Sequence, residues 1–82
     1  MLEKTVRLNN INDVKKFIEI TSSKDYKITL ESDKYVVDAK SIIGVLSLDL
    51  TKPLKMKAYG KTTADLVHEI APFLWQIFGN LK

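Results

Sequence analysis

The chain has 82 residues, of which 45% are hydrophobic and 28% charged, with 13 basic and 10 acidic side chains interspersed to a net charge of +3. That length allows one domain, residues 1–82, with one core that buries about 60% of the surface exposed by the unfolded chain. The absence of cysteine excludes disulfide staples, Cys-based zinc sites and thiol catalysis, and fits a reducing compartment.

The opening stretch "LEKTVRL" sets Leu2, Val6 and Leu8 on one parity and Glu3, Thr5 and Arg7 on the other, the period of a half-buried strand. In "NNINDVKKFIEITSS" the residues Ile11, Val14, Phe17 and Ile18 recur at helical spacing. Asn10 is the expected N-cap, accepting from the amide of Asn12 or Asp13, and Asp13 favours the positive helix end. "YKITLES" and "KYVVDAK" read as a hairpin around "SDK", with Asp33 supplying the turn chemistry. A short apolar run, "SIIGVLSL", follows from Ser41, and "LKMKAYG" then alternates with Leu54, Met56 and Ala58 inward. The last segment carries Leu66, Ile70, Phe73, Leu74 and Ile77 at helix period. It is expected to start at Thr62 or Thr63, kink at Pro72, continue, and stop near Gly79 and Asn80. The order strand, helix, strand, strand, helix, strand, helix with alternating strands predicts an α+β sandwich with one wet sheet face.

"KSIIGVLSL", from Lys40, resembles the signature of HPr, the histidine-containing phosphocarrier protein of the bacterial sugar phosphotransferase system. In that family a serine opens a short helix, two large apolar residues and a glycine follow, and a second serine and a leucine close it. Length, element order and the run "TSSKDYKITLESDKYVVDAKS" extend the resemblance over nearly the whole chain, although the loop "DLTKP" is slightly short for the family. The resemblance implies an open-faced sandwich, a four-stranded antiparallel sheet with three helices on one face, in the order β-α-β-β-α-β-α. It also implies protein partners of the phosphotransferase or catabolite-control type, docking on the exposed part of the short helix at Ile42, Ile43, Gly44, Val45 and Leu46. Ser41 is the natural cap of that helix. In Gram-positive relatives the matching serine is phosphorylated from ATP by a dedicated kinase, and Lys40 stands next to it in sequence.

The same alignment exposes a departure. HPr carries phosphate on a histidine at the start of its first helix, with an arginine two residues later and a proline after that. Counting back from Ser41 without gaps puts Asn10, Asn12 and Asp13 at those positions. An asparagine amide cannot form a phosphoramidate, Asn12 brings no charge, and Asp13 would repel a phosphoryl group. The expectation is a divergent HPr-like protein that has lost phosphotransfer and acts as a regulator or adaptor, with no enzymatic activity, cofactor or metal. His68, on the last helix, has no accompanying ligands or nucleophile and is read as structural.

The alternative from another class is a small basic nucleic-acid-binding domain, but "LKMKAYG" offers only Tyr59 for base stacking. An enzyme is ranked below both, for want of a nucleophile and base pair or a phosphate loop. "MLEKTVRLNN" lacks the apolar core of a secretory signal, and no apolar run approaches the ~20 residues of a membrane helix, so a cytoplasmic protein without membrane contact is expected. The apolar residues around the last helix, with Trp75 or Phe78 left partly exposed, also suggest self-association there.

Overall fold

The computed structural model describes residues 1–75. It contains β1 (Leu2–Val6), α1 (Ile11–Ser22), β2 (Ile28–Ser32), β3 (Tyr35–Asp38), α2 (Ile42–Leu46), β4 (Leu54–Ala58) and α3 (Ala64–Glu69), followed by a 3-10 turn at Ala71–Phe73. The four strands form one antiparallel sheet in the order β1-β4-β2-β3. Alternation in the sequence decides which face is covered. Val6, Ile28, Leu30, Leu54, Met56 and Ala58 point to one side and are fully buried with Val14 and Phe17 of α1, Val45 of α2 and Leu66 of α3. The intervening residues lie on the face without helices, as an antiparallel sheet covered on one side permits, and of these Thr29 at its centre is buried.

The β2–β3 turn is two residues long, with Ser32 paired to Tyr35 and Asp33 at a φ of 55°. Aspartate tolerates that left-handed backbone better than most residues, which gives the "SDK" reading its physical basis. After β4 the chain passes Gly60, where a Cβ would lie 2.7 Å from Cγ and Cδ2 of the Tyr26 ring. Gly60→Ala is therefore expected to cost about 1–3 kcal/mol by overpacking. Urea unfolding should show that cost in the native background and little of it in a Tyr26→Ala background, where the obstructing ring is gone.

The C-terminal segment departs from the expected continuous helix. The helix is broken before Pro72 and does not resume among the described residues. α3 ends at Glu69, and the amides of Phe73 and Leu74 donate three residues back, to Ile70 (2.8 Å) and Ala71 (3.2 Å). Leu74 then turns extended, at φ −65° and ψ 129°, and bridges to Val6. Arg7 donates its amide to the Phe73 carbonyl at 2.7 Å, and the Trp75 amide donates to Thr5 at 2.9 Å. Pro72 cannot supply a helical amide, and the outer edge of β1 offers backbone partners in compensation. The helical spacing still reports burial correctly for Leu66, Ile70 and Phe73. The expected positions Ile77, Phe78, Gly79 and Asn80 lie outside the described residues.

Candidate functional site

The N-terminus of α1 is closed by its own side chains. Asn10 is extended (φ −155°, ψ 175°), and its Oδ1 accepts from the Asp13 amide at 2.8 Å. Asp13 Oδ2 in turn accepts from the Asn9 amide at 3.0 Å. This reciprocal cap satisfies two backbone donors and holds a carboxylate at the positive end of the helix. Asn10 and Asn12 are both exposed. Neither side chain is a nucleophile or a cation, so this helix start holds the groups of a cap and none of those needed for phosphoryl transfer.

The second element is α2. Ser41 precedes it in extended conformation, and its Oγ accepts from the Gly44 amide at 3.1 Å, the cap expected from sequence. Val45 is fully buried and Leu48 nearly so, whereas Ile42, Ile43 and Leu46 remain 38%, 79% and 42% exposed. A helix of five residues has room to bury only one face, and here that face is Val45. Gly44 serves close approach: a Cβ there would stand 3.3 Å from Cβ of Val37, so the glycine lets α2 lie tight on β3. The five residues expected to form one docking patch thus divide, with Val45 in the core and Ile42, Ile43 and Leu46 carrying the exposed apolar surface.

Ile11 lies at the surface at the start of α1. The helical period groups it with Val14 and Phe17, yet it is 54% exposed as the first residue of α1. A residue in the first turn reaches beyond the core even when it shares the buried period. α1 packs against α2, so the two helices that hold the candidate positions are neighbours.

Ser41 is half-buried, and the segment leading to it is anchored from α1. Thr21, fully buried, donates its hydroxyl to the Ala39 carbonyl at 2.8 Å. Lys40, adjacent to Ser41 in sequence, donates its ammonium to the Lys24 carbonyl at 2.7 Å. The Asp38 carboxylate accepts from the Lys40 amide at 2.9 Å. Beyond α2, Thr51 donates its hydroxyl (2.5 Å) and its amide (3.1 Å) to Asp49 Oδ1, which holds that carboxyl below its ordinary range and shapes the loop into β4.

His68 lies exposed on α3, beside Glu69, whose carboxylate pairs with Lys24. That hydrogen bond raises the Lys24 pKa above its ordinary 10.5. Around His68 the chain presents Ala64, Asp65 and Glu69, so the surface of α3 beside His68 is mostly polar. Among the described residues no cluster of His, Asp or Glu is arranged to hold a metal ion.

On the open sheet face two lysines are matched by acids and a third by an aromatic ring. Lys57 lies 3.2 Å from Glu31, Lys55 lies 3.7 Å from Glu3, and Lys27 sits over the Tyr59 ring at 5.9 Å. These pairs reduce the positive charge of the face on which Tyr59 is exposed, and nucleic acid favours a continuous positive surface. No described helix is long and apolar enough to cross a membrane.

No protein-family model matches the chain, and no curated protein matches it by sequence. Solved structures do. The crystal structure of HPr-C-His from Thermoanaerobacter tengcongensis is similar over 100% of both chains, with a TM-score of 0.76 and 25% identity. A phosphocarrier protein HPr from Bacillus anthracis is similar over 88% of this chain and 95% of its own, with a TM-score of 0.66 and 22% identity. The fold implied by "KSIIGVLSL" is the fold observed: an α+β sandwich of four antiparallel strands and three helices, as in HPr.

Proposed function

We propose that this chain is a single HPr-like domain that works in the cytoplasm as a regulatory or adaptor protein related to the sugar phosphotransferase system, without carrying phosphate itself. The observation that carries this reading is the contrast between the two helix starts. At α1 the positions matching the family's histidine and arginine are Asn10 and Asn12, and the cap is completed by the Asp13 carboxylate. At α2 the apolar side chains of Ile42, Ile43 and Leu46 stay exposed. Exposed apolar surface on a small domain marks a contact with another protein. The partners are proteins of the phosphotransferase or catabolite-control type, and Gly44 and Val45 hold the patch in place from beneath.

Ser41 is the proposed control point. Its Oγ accepts from the Gly44 amide, and a phosphate there would add up to two negative charges at the border of the patch. The kinase expected to act is the HPr serine kinase. Incubation with that kinase and ATP should add one phosphate to the wild type and none to Ser41→Ala, read as intact mass. Ser41→Ala should also lose about 1 kcal/mol of stability as a capping defect. If neither protein gains a phosphate, Ser41 is a helix cap only and the regulatory half of the proposal fails. Incubation with enzyme I and phosphoenolpyruvate should leave the wild type unmodified, and a phosphohistidine on it would overturn the loss of carrier function.

A further inference from the structure

The two edges of the sheet are finished differently. The outer edge of β1 is paired with the chain from Phe73 to Trp75. At the opposite end of the strand order, β3 has no strand beside it among the described residues. Open edges are templates for further pairing, and monomeric proteins usually guard them with charge, proline or a bulge. Here the exposed edge is apolar at its centre: Tyr35 is 72% exposed and Val36 58%.

The register fixes which backbone groups point outward. Tyr35 pairs with Ser32 and Val37 with Leu30, and the Ala39 amide donates to Ile28 at 2.9 Å. The amides and carbonyls of residues 35, 37 and 39 are therefore directed to β2, and those of Val36, with the Asp38 amide, face away from the sheet.

We propose that two copies of this chain associate edge to edge through β3, antiparallel, about a two-fold axis at Val36. In that register Val36 meets Val36 of the second copy, Lys34 lies opposite Asp38 of the second copy, and Tyr35 lies opposite Val37 of the second copy. The symmetry repeats each contact, so both ends of the pairing carry a complementary charge pair. Within the chain, neither Lys34 nor Asp38 is in an ion pair among the described residues. Asp38 spends Oδ1 on the Lys40 amide and keeps Oδ2 for a second partner. The other registers lack these pairs, because a slip of two residues in either direction sets Lys34 or Asp38 opposite Val36, and a slip of four sets Lys34 against itself in one direction and Asp38 against itself in the other. The strand is four residues long, so the contact falls at the small end of specific interfaces and the dimer is a weak one.

The test is sedimentation equilibrium of the full chain from micromolar to millimolar concentration. The wild type should self-associate, and Lys34→Glu and Asp38→Lys should each weaken association about tenfold or more, because two attractions become repulsions. An equimolar mixture of those two variants should associate again, since each then offers the charge the other needs. If Asp38→Lys disturbs the turn it helps to hold, Val36→Lys places like charges at the axis and should abolish association by itself, with circular dichroism verifying the fold. A wild type that stays monomeric at millimolar concentration overturns the proposal, as does a Lys34→Glu variant that associates like the wild type, or a mixture that stays monomeric.

Discussion

Phe17→Ala should lose about 3–5 kcal/mol of stability, which would leave a domain of this size barely folded or unfolded at room temperature. Phe17 is fully buried and meets Phe73 edge to face, with centroids 6.1 Å apart and planes at 85°. The substitution removes a ring from the centre of the core and leaves a cavity against the turn that carries the chain back to β1. Part of the loss is therefore local. Trp75, the sole tryptophan, is half-buried and hydrogen-bonds its amide to Thr5. Its fluorescence reports whether this segment is docked, and far-ultraviolet circular dichroism reports the whole fold. Urea titrations by both probes should show a large fall in midpoint for Phe17→Ala, whereas Phe73→Leu, which keeps most of the volume, should cost less than half as much. A Phe17→Ala cost under about 1 kcal/mol would contradict the packing of α1 on the C-terminal segment.

Strands and caps were legible because each rests on local chemistry that the sequence spells out. Alternation placed Leu54, Met56 and Ala58 inward, and all three are fully buried. Asn10 and Ser41 read as caps because a short polar side chain before an apolar helical run has a backbone amide within reach. The end of the chain was not legible. Helical spacing in Leu66, Ile70 and Phe73 reports that these residues share the core, but it cannot distinguish a helix that continues past Pro72 from a 3-10 turn that hands the chain to a sheet edge. The deciding partner, the free edge of β1, lies about seventy residues away in sequence, and no local period encodes it. Burial in α2 was half legible for a related reason. The apolar run showed that some side chains must stay outside, and the contact of Gly44 with Val37 decided that Val45 faces inward. The register that leaves Val36 facing outward likewise depends on pairing between strands.

Carrier chemistry should be recoverable by rebuilding the start of α1, and the order in which substitutions act distinguishes the contributions. Asn10→His alone supplies the imidazole but leaves the Asp13 carboxylate within the same helix turn, bonded to the Asn9 amide. A phosphoryl group arriving there would meet a like charge, worth about 1–2 kcal/mol of repulsion at a partly exposed site. The pair Asn10→His and Asn12→Arg adds a guanidinium that can grip the phosphoryl oxygens. Adding Asp13→Pro removes the carboxylate, and proline is tolerated in the first turn because its amide is not required by the helix. Incubation with enzyme I and phosphoenolpyruvate should therefore give no phosphohistidine on the wild type, little on Asn10→His, and a rate about tenfold higher for the triple variant than for the double. The product is identified as an acid-labile, base-stable phosphate on residue 10, and the loss of the asparagine cap should cost about 1 kcal/mol of stability in every variant. Equal rates for the double and triple variants would mean that the Asp13 charge is not what opposes phosphate at this helix end. Failure of the triple variant to accept phosphate while remaining folded would mean that the chain has also lost the surface on which enzyme I docks.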